Sequence, residues 1–219
     1  MNGWWSFVVS TMPFLWQGLL MTLFIAAVVV AISLVAGVLV GICFAYGPWW
    51  ARLPLRICSD ILRGTPLLVV IFTSYYLLPF IGLNLQPLPA FLAAMSAFMT
   101  AHVGEITRGA IQSIGAGQTD AGKAIGLTFG QRLVYVILPQ AVRRFLPPWI
   151  NSVTDAVKGS SLVSLVGIVD LMLAAQQVIG RTYEPLPIYV LAAMIYFVIN
   201  YSLSSLSRSL EARYAYVRD

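Results

Sequence analysis

The sequence predicts an all-α membrane protein with about five transmembrane helices. Three observations predict it. The 219 residues are 59% hydrophobic and only 10% charged, against about 25% charged in a typical soluble domain. The first charged side chain is Arg52, so the chain opens with an uncharged stretch long enough to cross a bilayer, which takes about 20 apolar residues. Finally, the basic residues sort onto one side of the membrane when five spans are drawn.

The spans follow in order. The first covers about 14–46 and is ended by Gly47-Pro48, with Trp49-Trp50 at the interface. The second, about 57–78, is interrupted by Gly64-Thr65-Pro66, where Thr65 can cap and Pro66 can begin a helix. A turn-rich loop separates it from the third, about 88–114. The fourth covers about 146–173 and the fifth about 186–206, followed by a polar tail. Together they make one transmembrane domain over 1–219, because the largest polar insertion, about 115–144, is below the size at which a domain folds alone. The leading stretch lacks the basic start of a signal peptide.

Of the thirteen basic residues, Arg52, Arg56, Arg63, Arg108, Lys123, Arg132, Arg143, Arg144, Arg208, Arg213 and Arg218 share one side. Only Arg181 lies opposite, and Lys158 falls inside span four. The bias places the C-terminus in the cytoplasm and the N-terminus outside. The net charge of +5 thus reports topology and not nucleic-acid binding. Cys43 and Cys58 read as small packing residues. One histidine and two cysteines make no metal site, and no catalytic set of paired carboxylates or Ser/His is visible.

The polar insertion contains "QTDAGKAIGLTFGQRLVYVILP", residues 118–139. Thr119 or Asp120 can cap a short helix. Ala121, Ala124, Ile125 and Leu127 form an apolar strip, and Gly126 can end the helix in a left-handed turn. A second helical piece, 129–137, runs to Pro139. Small residues at Ala121, Gly122 and Ala124 let another backbone approach.

Inside the spans, ionisable residues are costly and therefore functional candidates. Asn151, Asp155 and Lys158 share one face of span four, with Asp155 and Lys158 spaced to pair, either as a structural pair facing another span or as part of substrate passage or gating. Gly159-Ser160-Ser161 is a weak point, where a half-helix N-terminus could meet a substrate carboxylate. In span three, Glu105 and Arg108 are spaced as an ion pair near the inner end. His102 reads as a hydrogen-bonded packing residue or a pathway residue, with Ser96, Met99 and Thr100 above it. Asn200, Tyr201, Ser202, Ser204 and Ser205 in span five suggest hydrogen bonds between helices.

The insertion resembles the EAA loop of ABC-importer permeases: Glu-Ala-Ala, three residues, Gly, nine residues, Ile, one residue, Leu-Pro. Here those positions hold Asp120, Ala121, Gly122, Gly126, Val136, Leu138 and Pro139. The stretches "RGTPLLV" (63–69), "EITRGAIQSI" (105–114), "LPQAVRRFLPPWIN" (138–151) and "KGSSLVSLVG" (158–167) are similar to the polar amino acid uptake family of such permeases, the histidine, glutamine and arginine type. The resemblance implies a type I importer permease fold in a prokaryotic inner membrane. It implies a cytoplasmic coupling helix between spans three and four, seated on an ATPase through Thr119, Asp120, Ala121, Gly122, Ala124, Gly126 and Leu127. Asp120 would pair with a basic residue of that ATPase. Implied partners are two ATPase subunits, a second permease and an extracytoplasmic solute-binding protein. The chain carries no Gly-x-x-x-x-Gly-Lys-Ser/Thr pattern, so ATP and Mg²⁺ belong to the partner and no cofactor is expected on this chain. The alternative is a stand-alone secondary transporter or channel for a small polar solute; the lack of an internal repeat weighs against it.

Overall fold

A computed structural model describes residues 2–214; Arg218 lies outside them. Helix α1 runs from Asn2 to Tyr46, beginning earlier than the sequence suggests because Pro13 is absorbed within the helix. It stops at Gly47, whose amide bonds the Cys43 carbonyl at 2.7 Å, and Pro48 then starts α2 (Trp49–Gly64). A break at Thr65-Pro66 leads to α3 (Leu67–Leu77) and a 3-10 turn, Leu78–Ile81. Helix α4 covers Pro87–Gln112, α5 Ala116–Ala124 and α6 Phe129–Arg132. A π-helical turn, Leu133–Ile137, joins α6 to α7 (Leu138–Gly159), and a 3-10 stretch, Ser160–Val166, follows. Helices α8 (Leu171–Thr182) and α9 (Pro185–Tyr214) complete the described chain.

Among the described residues, three helices are long and apolar enough to cross a membrane alone: Ser10–Tyr46, Pro87–Gln112 and Pro185–Arg213. A fourth is bent, Phe129–Val166 with Leu171–Thr182 at 51°. This corrects span four, expected as one rod over 146–173: Gly167 takes a left-handed φ of 82° and divides it. Span two is also corrected. The expected start at 57 falls inside α2, which is amphipathic. Only α3, 11 residues long, is apolar all round. Its rise of about 16 Å covers half of a roughly 30 Å hydrocarbon layer. Thr65 does not cap α3; its hydroxyl donates back to the Ile61 carbonyl at 2.7 Å, closing α2. The expected end at Pro139 also fails, since Pro139 lies in the first turn of α7, where its missing N–H costs nothing.

Helix α4 is the central post, packed on α1, α2, α3 and α7. Its crossing with α1 is close because α1 offers Gly37 and Gly41 to Val103, Gly104 and Thr107. A Cβ at Gly41 would lie 2.4 Å from the Thr107 Cβ and 2.6 Å from the Gly104 carbonyl oxygen. This is small-xxx-small packing, in which backbone approach and dispersion replace a hydrophobic effect absent from lipid. Two large apolar clusters result, beside a smaller one of Ile111, Ile137 and Ala141. Ile25, Val29, Ile71, Phe91, Met95 and Val163 join α1, α3, α4 and the 3-10 stretch. Leu15, Leu19, Leu171, Val178, Ile188 and Ala192 join α1, α8 and α9.

Span five bonds differently from expectation. Asn200 donates to Tyr196 O at 2.8 Å and Ser202 to Val198 O at 2.8 Å, both within α9. One bond from α9 to another helix comes from Ser207, which donates to the Pro147 carbonyl at 3.2 Å. That carbonyl lies in the middle of α7, so the bond ties the end of α9 to α7.

Candidate functional site

Three polar constructions stand out on the bundle. The first is the elbow formed by α5 and α6. Helix α5 begins after Gly115 with no side-chain cap, so the expected capping by Thr119 or Asp120 is corrected: both lie within the helix. Asp120 instead pairs with Lys123 at 2.9 Å on the exposed surface. Gly126 turns the chain at φ 77°, as its sequence position suggests, and its N–H bonds Lys123 O at 2.9 Å. Thr128 then caps α6. Its backbone N–H donates to Gln131 Oε1 at 2.9 Å, and its hydroxyl accepts from Gln131 N at 3.4 Å. Thr-x-x-Gln is a capping-box signature, so this signal was present in the sequence and went unread.

The two arms are clamped by Arg132. Its Nη1 donates to the Leu127 carbonyl at 2.9 Å, and its methylenes cover Gly122, where a Cβ would lie 2.9 Å from Cγ and Cδ. Gly122 is therefore small for an internal reason. Leu127 and Thr119 are half-buried, while Ala121, Ala124 and Ile125 are open to solvent. Phe129 contacts Tyr46 edge-on at 5.2 Å, which holds the elbow at the end of α1. Arg144 further ties α7 to the Ser113 carbonyl at the end of α4.

The second construction surrounds Glu105, on α4. The sequence spacing predicts its pair with Arg108, found at 2.7 Å. Two more guanidinium groups arrive from α2: Arg56 at 3.6 Å and Arg63 at 3.7 Å. Arg63 also meets Asp60 at 3.7 Å, and Arg56 lies over the Phe44 ring. Glu105 is only 12% exposed, and one carboxylate thereby joins α2 to α4. No sequence spacing links residue 56 to 105, so this convergence belongs to tertiary structure. Replacing Glu105 with Gln would leave Arg56 and Arg108 without their carboxylate and Arg63 with Asp60 alone. A fully buried pair broken in this way costs about 3–5 kcal/mol and an exposed one at most about 1. With arginine side chains 26–43% exposed, the expected loss is about 2 kcal/mol, read as a lowered unfolding temperature in thermal denaturation. Glu105→Asp should recover part of it.

The third construction follows the Gly167 turn. Asp170, fully buried, caps α8 by accepting from Leu173 N at 2.9 Å. Its second oxygen accepts from the Tyr196 hydroxyl of α9 at 3.4 Å. Thr22 of α1 accepts from Leu171 N at 3.1 Å, and Gly18 lets the Asp170 carbonyl approach its Cα. These groups hold α8 to α1 and α9. The sequence signal was a lone acid within an apolar segment, and it was missed.

The pathway candidates divide. Asn151, Asp155 and Lys158 do share an open face of α7, with Asp155 and Lys158 paired at 3.3 Å. Ser161 is half-buried and donates to Lys158 O at 2.7 Å. Met99 lies in the apolar core, and Ser160 is fully buried, donating to Val157 O at 2.8 Å. His102 shares a 3.0 Å Nδ1 hydrogen bond with Phe98 O and packs on its ring at 4.5 Å, the geometry of a packing residue. Gly159-Ser160 does end the regular helix, as a weak point should. The expected half-helix N-terminus is not there: residues 160–166 continue as 3-10 helix, and the next N-terminus, at α8, is already capped by Asp170.

Comparison with known proteins places this architecture. Residues 33–216 match the family described as binding-protein-dependent transport system inner membrane component. The chain is 36% identical over 211 residues to a glutamine transport system permease protein of Escherichia coli (strain K12), covering 95% of this chain and 96% of that one. It is 34% identical over 206 residues to a probable glutamine ABC transporter permease protein of Bacillus subtilis (strain 168), covering 92% and 94%. A crystal structure of an amino acid ABC transporter with histidines superposes with a TM-score of 0.88 at 32% identity, covering 94% of this chain and 96% of that one. An inward-facing structure of the MetNI methionine ABC transporter shares the fold, with a TM-score of 0.73 at 19% identity over 92% and 98% of the two chains. The chain therefore belongs to the inner membrane components of binding-protein-dependent transport systems and is a membrane-spanning permease subunit of an ABC importer.

Proposed function

We propose that this subunit translocates a polar amino acid into a prokaryotic cell by alternating access, driven by two partner ATPases that hold the ATP and Mg²⁺. The observation that carries the reading is the elbow. Ala121, Ala124 and Ile125 face outward, uncovered by the described residues, on an arm stiffened by Thr128 and Arg132. Such a surface suits a groove on another protein, and its small residues permit close approach. The names of the relatives support an amino acid as cargo. In this reading residues 1–219 form one permease domain, with the N-terminus outside and the C-terminus in the cytoplasm. It works beside a second permease and receives cargo from an extracytoplasmic binding protein.

Asn151, Asp155 and Lys158 then line the passage, offering opposite charges at the spacing of an amino acid's ammonium and carboxylate groups. Glu105 with its arginines closes the inner end. The test is reconstitution of the complex in proteoliposomes: ATP-dependent, vanadate-sensitive amino acid uptake is expected, and uptake by this chain alone on an ion gradient would overturn the reading. Lys158→Met should lower uptake by about tenfold, as expected for one lost charge-assisted contact of roughly 1.5 kcal/mol or more, while leaving thermal unfolding and ATPase co-purification unchanged. Equal losses of uptake and assembly would assign the Asp155–Lys158 pair a structural role.

A further inference from the structure

The helix expected to open span two has an unusual division of faces. On α2, Arg52, Arg56, Ser59 and Arg63 recur at helical spacing on one side. Ser59 is buried, and Arg56 and Arg63 reach Glu105 of α4. The opposite side carries Trp50, Leu53, Ile57 and Ile61, which are 67%, 53%, 53% and 62% exposed. This stripe points directly away from the bundle. It begins at Trp49-Trp50, just after the end of the membrane-spanning α1, whose Val35 and Leu39 are likewise exposed. It ends at the Thr65-Pro66 break, beyond which α3 is apolar all round. Arg52, at the Trp49-Trp50 end, has no ion-pair partner among the described residues. The groups around α2 comprise Arg52, Arg56, Arg63 and Arg108 against Asp60 and Glu105, leaving two net positive charges.

We propose that α2 is an interfacial helix: its Trp50–Leu53–Ile57–Ile61 stripe contacts lipid at the headgroup–acyl boundary, and Arg52 binds an anionic phospholipid headgroup. The leaflet is the one on the elbow side, because Tyr46, at the start of the turn into α2, touches Phe129 of the elbow. The occupant follows from continuity with the lipid-facing surface of α1 and from charge. A helix with tryptophan and aliphatic residues on one face and arginine on the other sits about 5–10 Å into the boundary region, and anionic lipids attract the cations beside it. The Glu105 contacts fasten this helix to α4. The inference requires the membrane assignment but neither the cargo nor the direction of transport.

The test uses the assembled complex in lipid nanodiscs, otherwise cysteine-free, with Cys43→Ala and Cys58→Ala in this chain. Nitroxide labels go on Ile57→Cys and Ile61→Cys in separate samples. Labels at 57 and 61 should collide more with oxygen than with a water-soluble nickel chelate, at a depth of about 5–10 Å. Labels at 57 and 61 shielded from both reagents would place another protein subunit on the stripe and overturn the proposal; preferential access to nickel would overturn it too. The headgroup is tested by native mass spectrometry in mixed phosphatidylcholine and phosphatidylglycerol. Arg52→Gln should weaken phosphatidylglycerol retention by about fivefold, the worth of one interfacial cation, and Arg52→Lys should retain it. Equal retention by Arg52→Gln would overturn the headgroup assignment.

Discussion

Gly126→Pro should abolish ATP-driven uptake while leaving the chain in the membrane. Gly126 sits at φ 77°, and proline holds φ near −65°, so the turn cannot form. The substitution also deletes the N–H that bonds Lys123 O at 2.9 Å. The consequence is local, because the elbow meets the bundle chiefly through Phe129 against Tyr46 and the Gln118–Gln140 bond. The bundle core should therefore survive, and the alignment of α5 with α6 should not. Gly126→Ala is the graded control: a left-handed residue with a Cβ costs roughly 1–2 kcal/mol, predicting reduced but measurable uptake. Asp120→Arg should act by a different route, replacing the Asp120–Lys123 pair with like charges on the surface proposed to meet the ATPase. Uptake and ATPase co-purification, measured together, distinguish these outcomes. Full uptake by both Gly126→Pro and Asp120→Arg would remove the elbow from the mechanism.

Gly41→Leu should be the most damaging substitution to stability. The first added atom already falls 2.6 Å from a backbone oxygen of α4 and 2.4 Å from the Thr107 Cβ. Neither neighbour can rotate away: one is main chain, and the Thr107 hydroxyl is bonded to Val103 O at 2.8 Å. Overpacking in a core ordinarily costs about 1–3 kcal/mol; here α1 and α4 must separate along their crossing, and the loss should reach about 3 kcal/mol or more. Thermal unfolding of the purified complex provides the measurement. Gly109→Ala is the matched control on the same post, since a Cβ there meets nothing within 4 Å and alanine favours the helix by up to about 1 kcal/mol. Similar unfolding temperatures for Gly41→Leu and the parent would show that the crossing is looser than described.

The sequence alone determined what depends on composition and local spacing. The absence of charge before Arg52 set the membrane class. Gly47-Pro48 and Gly126 marked turns because backbone conformation there is a property of the residue itself. Glu105–Arg108 and Asp155–Lys158 were legible because three residues along a helix are neighbours in space. Tertiary structure decided what depends on distant segments meeting. Arg56 and Arg63 join Glu105 only because α2 packs on α4. Asp170 is a buried cap only because Thr22 and Tyr196 arrive from α1 and α9. Apolar content could not divide α2 from α3, since an exposed stripe and a buried one use the same residue types in lipid. The small residues of the elbow likewise looked alike in sequence. Packing separated them: Gly122 admits Arg132 from its own chain, whereas Ala121 and Ala124 remain open for another.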